Sequence, residues 1–364
     1  MSYRITLLPG DGIGPEVSAA MQKCVDATGV DIQWEEVMVG APAIARHGTP
    51  LPQAAIDSIK KNRVAIKGPI ETPVGKGFRS VNVQLRQELD LFACVRPARY
   101  IEGTQAVNKN VNLMIFRENT EDLYSGVEFD QGSSEATQLI SLVNSFPGKK
   151  VRPDSAISIK PISAFGSERI IRAAFEYAVT HGRKKVSLVH KANIMKYTDG
   201  LFLHTGRKMA EEYAGQVVFE DVIVDNMCMQ LVQRPENYDV LVLTNLYGDI
   251  ISDLCAGLVG GLGLAPGANI GTAAALFEPV HGSAPKYAGL NKVNPTATIL
   301  SAVMMLDHIG ESVAARRLET AVLDVIRAGK DVTYDLKSDR NDVSAVGTKE
   351  MAQAICQRIK ALGN

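Results

Sequence analysis

The sequence predicts an α/β protein, and three observations carry that prediction. Strand and helix signals alternate over residues 1–91, the stretch 122–163 has a different texture, and residues 260–364 return to the first pattern. Composition agrees, since 364 residues with 46% hydrophobic and 22% charged side chains can bury a sizeable core, as two domains or one large unit. A net charge of −1, with acids and bases interspersed, excludes the basic field that a nucleic-acid or membrane surface needs. No uninterrupted apolar run reaches membrane-spanning length, and the first residues enter a strand without a signal-peptide pattern. Cys24, Cys94, Cys228, Cys255 and Cys356 are odd in number, widely spaced and free of any Cys-x-x-Cys, which argues against a disulfide framework or a zinc site. A reducing, cytoplasmic setting is expected.

In chain order, the pattern predicts a strand over residues 5–8, a helix from Pro15, a strand over 32–37, a helix ending near Lys61 and a strand over 64–67. The first turn, Gly10-Asp11-Gly12-Ile13-Gly14-Pro15-Glu16, is not a Rossmann fingerprint. Its glycines run G-x-G-x-G, and Pro15 stands where the third spacing would be needed. A glycine-rich loop, 72–79, then leads into a helix marked by Val81, Leu85 and Leu89, with Ser80 at its N-cap position. Ser80 reads either as a cap or as part of an anion site at a helix N-terminus, with Arg86 farther along. Arg96 and Arg117 close strand-like runs over 91–95 and 113–116. Each alone fits a surface ion pair; three arginines near one helix N-terminus fit bidentate capture of a ligand with several carboxylates. Tyr124 reads as a proton donor or a half-buried tyrosine.

Residues 122–163, with Gly132-Ser133-Ser134 and alternating runs over 138–143 and 151–162, read as inserted hairpins and a subunit contact. A helix over 167–179 and a strand over 185–189 lead to Lys191, either a surface lysine or a desolvated, catalytic one with a lowered pKa. A strand over 217–220 precedes Asp225, read as a helix cap or a metal ligand. The strand 240–243 then runs into Asn245-Leu246-Tyr247-Gly248-Asp249-Ile250-Ile251-Ser252-Asp253, a helix whose apolar stripe is Ile250, Ile251, Leu254, Cys255 and Leu258. Asp249 and Asp253, four apart, share the other face, as a solvated acidic pair or as carboxylates bridged by Mg²⁺. Beyond a closely packed apolar stretch over 254–264, a strand over 273–277 enters the irregular loop Glu278 to Gly289, and helices start from Pro295 and near Glu311. His281 in that loop reads as a partner for a planar ligand.

Together, Leu8-Pro9-Gly10-Asp11-Gly12-Ile13-Gly14, Phe116-Arg117-Glu118-Asn119, the Asn245 to Asp253 stretch and the His281 to Gly289 loop resemble the decarboxylating β-hydroxyacid dehydrogenases, the isocitrate, isopropylmalate and homoisocitrate dehydrogenases. Phe78-Arg79-Ser80-Val81-Asn82 is similar to the isocitrate branch; isopropylmalate enzymes carry leucines there. The resemblance implies that family's own fold, with a large α/β domain from residues 1–91 and 260–364, a small one from 92–121 and 164–259, and a β-rich clasp at 122–163. It implies oxidative decarboxylation of isocitrate by a homodimer that shares its sites. Ser80, Asn82, Arg86, Arg96 and Arg117 would bind isocitrate, with Tyr124 and Lys191 catalytic. Asp249 and Asp253, with Asp225 from the other subunit, would hold Mg²⁺ or Mn²⁺. Homoisocitrate or isopropylmalate activity, or a non-catalytic regulatory subunit, are the alternatives it leaves.

The resemblance also implies a dinucleotide held by Thr72, Asn82, Glu278, His281, Gly282, Ala284, Lys286, Tyr287, Asn294, Tyr334 and Arg234, the last from the partner. NADP is favoured over NAD. Members that use NAD carry aspartate and an aliphatic residue at the positions of Lys286-Tyr287. Tyr334 and Arg234 also match residues that grip the 2′-phosphate. Ser338 departs, standing where an arginine is expected, with Lys337 and Arg340 close by in sequence.

Overall fold

A computed structural model of the chain describes residues 2–71 and 80–363. The loop 72–79, with Thr72, Phe78 and Arg79, lies outside the described residues. The N-terminal segment alternates as expected: β1 (Tyr3–Leu8), α1 (Gly14–Asp26), β2 (Ile32–Glu36), α2 (Ala41–His47), α3 (Gln53–Asn62), β3 (Val64–Lys67) and α4 (Val81–Glu88). Next come β4 (Ala93–Arg99) and β5 (Asn112–Glu118), then the insert with β6 (Glu128–Phe129), α5 (Ser134–Ser145) and β7 (Ile157–Ser158). After it run α6 (Ala164–Thr180), β8 (Lys185–His190), α7 (Thr198–Glu212), β9 (Val218–Ile223), α8 (Val224–Gln233), β10 (Val240–Leu243) and α9 (Asn245–Val259). β11 (Pro266–Ile270), β12 (Ala275–Pro279), α10 (Thr296–His308), α11 (Ser312–Ala328) and α12 (Thr348–Leu362) complete the chain.

Among the described residues one sheet of ten strands runs in the order β2-β1-β3-β12-β11-β4-β5-β10-β8-β9. Its two flanks, β2-β1-β3-β12 and β5-β10-β8-β9, are parallel, and β11 and β4 join them by antiparallel pairings. Helices cover both faces, so a central parallel strand such as β10 is apolar throughout and fully buried. Each such side chain contributes roughly 1.5–3 kcal/mol.

The central strands instead alternate, and this alternation positions the site. Register pairs Cys94 with Arg117 and Asn269, and Asn269 with Leu276. With a side-chain period of two, Arg96, Arg117, Asn269 and Glu278 therefore share one face. Ala93, Val95, Met114, Phe116, Ala268 and Phe277 share the other, against α6 and α10, where a cleft of about 640 Å³ opens. At the first turn, Gly12 has φ +56 and its missing Cβ would lie 2.1 Å from Ser283 O. Only glycine lets this turn meet the loop after β12, which Ile13 N–H holds by donating to Ser283 O at 2.9 Å.

Four expectations need correction. The insert is not made of hairpins: its run over 138–143 lies in α5, whose N-cap Ser133 accepts from Ala136 N–H and whose Ala136 and Ile140 are buried four residues apart. Only β6 and β7, two residues each, pair there. Arg96 is inside β4 rather than after it, and Asp225 is the second residue of α8, behind an Ile223 cap. Finally, Ile250 is 54% exposed, so the buried stripe of α9 passes through Gly248, Ile251, Ser252, Cys255 and Val259.

Candidate active site

β10 passes directly into α9, bringing Asp249 and Asp253 over the polar face of β4 and β5. Gly248 makes that approach possible, because a Cβ there would lie 2.5 Å from Arg117 Cγ. Arg117, 1% exposed, donates from Nε and Nη2 to Asn245 Oδ1 at 2.9 and 2.7 Å, and its Nη1 pairs with Asp249. Arg96 Nη1 donates to Ser252 Oγ at 2.6 Å and lies 3.4 Å from both Asp249 Oδ1 and Asp253 Oδ1. Tyr124, in a 3-10 turn over Asp122–Ser125, donates its hydroxyl to Asp249 Oδ2 at 2.6 Å. The Arg117 guanidinium stands 4.8 Å from the centre of its ring.

These contacts separate the two aspartates. Burial pushes Asp249 up, but Arg117, Arg96 and the Tyr124 hydroxyl outweigh it and hold the carboxyl below its ordinary range. Asp253 is raised by burial and by Asp249, which Arg96 does not fully offset. Burial and the bond to Asp249 raise the Tyr124 phenol, so it keeps its proton at neutral pH.

Beside this cluster, Glu278 on β12 forms a second one. Its Oε2 is 2.6 Å from Lys67 Nζ and its Oε1 is 3.1 Å from Arg86 Nη2, all three side chains being buried, and Asn269 Nδ2 donates to Oε1 at 2.7 Å. Burial alone would raise the carboxyl; Lys67 and Arg86 hold it well below the carboxylate range. A cavity of about 100 Å³ opens here between Asn82, Arg86, Arg96, Glu278, His281 and Gly282. Asn82 Oδ1, Arg86 Nε and His281 Nε2 are buried around it with no hydrogen-bond partner among the described residues. Polar atoms left this way at one cavity fit a polar ligand. His281 Nδ1 donates to Gly282 O at 3.0 Å, and burial lowers the ring's pKa, so Nε2 is a bare acceptor at neutral pH.

The rest of the loop after β12 carries Ala284 in the left-handed region at φ +37, followed by Lys286 and Tyr287. Lys286 Nζ lies 4.9 Å from the Tyr287 ring centre, and Tyr334 and Lys286 lower the Tyr287 phenol's pKa. Asn294 is committed within the protein: Nδ2 donates to Asp335 Oδ2 at 3.0 Å and Oδ1 accepts from Thr296 N–H at 2.9 Å.

The single chain thus brings Arg86, Arg96, Arg117, Tyr124, Asp249 and Asp253 together, and Asn82, Glu278, His281 and Gly282 beside them. It does not bring Lys191 or Asp225 there. Lys191 is no isolated desolvated ammonium; it pairs with Asp225 of its own chain, and both side chains are partly exposed. Among the described residues neither is bonded to the Asp249 cluster, and no group of three His, Cys, Asp or Glu assembles. Arg234 is exposed at the end of α8. Ser80 stands at the N-cap of α4, but its side chain makes no cap hydrogen bond. Lys67, Asn269 and Ser252 were not singled out from sequence. Of these only Lys67 left a signal, a lysine ending the otherwise apolar run of β3.

A family model described as isocitrate/isopropylmalate dehydrogenase matches residues 4–355. The chain belongs to the isocitrate/isopropylmalate dehydrogenase family. It is 45% identical to isocitrate dehydrogenase (NADP) of Archaeoglobus fulgidus, over 98% of this chain and 93% of that protein. It is 48% identical to the probable mitochondrial isocitrate dehydrogenase (NAD) subunit alpha of Drosophila melanogaster, over 92% of this chain and 83% of that one. The crystal structure of isocitrate dehydrogenase from Methylococcus capsulatus matches with a TM-score of 0.89 at 52% identity, covering 98% of this chain and 99% of that chain.

Proposed function

We propose that the chain catalyses the metal-dependent oxidative decarboxylation of isocitrate to 2-oxoglutarate and CO₂, with NADP as oxidant. The observation that carries this is the convergence of Arg86, Arg96 and Arg117 on one cleft beside Asp249, Asp253 and Tyr124. Three guanidiniums so close depress the pKa of Arg117, after burial itself, and favour a ligand with several carboxylates. Ser80 and Asn82 at the head of α4 would meet the substrate's remaining carboxylate.

Asp249 and Asp253, with Asp225 from a second copy, would hold Mg²⁺ or Mn²⁺, which supplies acidification of the substrate hydroxyl. NADP supplies the hydride acceptor, held through Asn82, His281, Gly282, Ala284, Lys286, Tyr287 and Tyr334, with Thr72, Glu278, Asn294 and a second copy's Arg234 around it. The chain's own groups then handle protons. Lys191 from a second copy would help remove the hydroxyl proton as the carbinol carbon gives up its hydride, the β-keto acid so formed would lose CO₂, and Tyr124 Oη would deliver a proton to the carbon left behind.

A second copy is supported by apolar side chains left open on two elements that carry these residues and on the insert: Met229 and Val232 on α8, Ile250 on α9, Leu142 of α5 and Phe146 just after it. The two lobes would be residues 1–91 with 260–364 and 92–121 with 164–259, joined by the dimerisation insert 122–163. Among the described residues no helix is long and apolar enough to cross a membrane, in keeping with a cytoplasmic enzyme.

The test is initial rates on isocitrate and on isopropylmalate, with each nicotinamide cofactor, in Mg²⁺ and in EDTA. Turnover of isocitrate that requires the cation is expected. Preference for isopropylmalate, or full activity in EDTA, overturns the reading.

A further inference from the structure

We propose that Lys292 is the second cationic clamp on the 2′-phosphate of NADP, filling the role left open by Ser338. The proposal rests on the NADP reading above and adds a residue that the sequence did not single out. The Tyr287 and Tyr334 side chains are close enough to shift each other's titration, and they bring the loop after β12 beside the turn after α11. Each ring carries an ammonium: Lys286 Nζ lies 4.9 Å from the Tyr287 centre and Lys292 Nζ lies 4.7 Å from the Tyr334 centre. Two neighbouring phenols, each with a lysine ammonium over its ring, form a corner rich in donors and positive charge, suited to a phosphate dianion.

The corner is held from behind. Val293, next to Lys292, is buried against Ile13 and Val17, and its carbonyl accepts from Thr348 Oγ1 at 2.6 Å. The neighbouring carboxylate, Asp335, has its oxygens engaged by Asn294 Nδ2 at 3.0 Å and Thr333 Oγ1 at 2.6 Å. The Lys292 backbone is therefore fixed while its exposed side chain leans on Tyr334. Lys337, the substitute nearest Ser338 in sequence, is spent elsewhere: its Nζ donates to Gly329 O at 2.9 Å and Lys330 O at 3.0 Å, closing the end of α11. The field of the two lysines also registers on Tyr287, whose pKa is lowered first by Tyr334 and then by Lys286 and Lys292.

The experiment measures binding of adenosine 2′,5′-bisphosphate and adenosine 5′-monophosphate by calorimetry, with kcat/KM for NADP and NAD, in the wild type and in Lys292→Met, Lys292→Arg and Lys286→Met. Loss of one charged contact predicts that Lys292→Met weakens the bisphosphate about tenfold or more and lowers the NADP to NAD ratio of kcat/KM by a similar factor. Lys292→Arg should restore most of both. If Lys292→Met binds the bisphosphate as tightly as the wild type while Lys286→Met does not, the role of Lys292 is refuted and the NADP reading stands. A wild type that binds both nucleotides equally and prefers NAD refutes both.

Discussion

The Tyr124 hydroxyl donates to Asp249 Oδ2 across 2.6 Å, so the proposed proton donor and a proposed metal ligand share one hydrogen bond. Tyr124→Phe removes the donor and little packing. It should lower kcat on isocitrate by roughly 10²- to 10⁴-fold while leaving the melting temperature nearly unchanged. Because burial and Asp249 raise the phenol above its ordinary value, the wild type should lose no activity to Tyr124 ionisation below about pH 10. A pH-rate profile on both proteins checks this.

The two aspartates of α9 should affect stability with opposite signs. Asp253 has a raised pKa in the folded protein, so its ionised form destabilises the fold above that value and has no effect below the unfolded one, 3.8. Asp253→Asn should therefore raise the melting temperature in EDTA at neutral pH, and the gain should vanish as pH falls below about 4. Asp249 is depressed, so its stabilisation is present above 3.8 and is lost as pH falls through its lower folded value. Asp249→Asn should accordingly melt earlier at neutral pH. Added Mg²⁺ should stabilise the wild type more than either variant.

Glu278→Gln leaves Lys67 and Arg86 buried without their counter-charge. Breaking a buried pair in this way costs about 3–5 kcal/mol, read as a lower midpoint in urea. Since Glu278 is held well below the carboxylate range, the wild type should keep this stabilisation through moderately acid pH.

Gly248→Ala tests the approach of α9 to β5. Its Cβ would lie 2.6 Å from Arg117 Cβ and 3.2 Å from Arg117 Cα, in a central strand that cannot yield. The helix must move, at a cost of about 1–3 kcal/mol, and Asp249 moves with it. A higher KM for isocitrate and a weaker response to Mg²⁺ are expected, measured by steady-state kinetics and metal titration.

Much of this was legible because period and chemistry coincided. β10 is an unbroken apolar run followed at once by helical spacing, and Asp249 and Asp253 fell on one helix face as read. β11 was missed because Pro266, Gly267, Ala268 and Asn269 have little intrinsic strand preference; its pairing with β12 and β4 makes it a strand. α12 was overlooked although Met351, Ile355 and Ile359 mark its buried side at every fourth residue. The hairpin reading of the insert failed because a short run such as 138–143 satisfies both periods until its cap at Ser133 is weighed. Arg86, Arg96 and Arg117 were legible as cations, but their partners Glu278, Ser252 and Asn245 lie 192, 156 and 128 residues away. No local pattern encodes such pairings.

The polar face of the central strands also sets the electroneutrality of the cleft. Lys67, Arg86, Arg96 and Arg117 stand against Glu278, Asp249 and Asp253, leaving one uncompensated positive charge, while Lys191 and Asp225 cancel each other. A tricarboxylate arriving alone would overshoot to a net negative site, and a divalent cation arriving alone would deepen the positive one. Only the two together bring the cleft to zero. Isocitrate and metal should therefore raise each other's affinity by one common factor, as reciprocal linkage requires, and the enzyme should take them up as a neutralising pair.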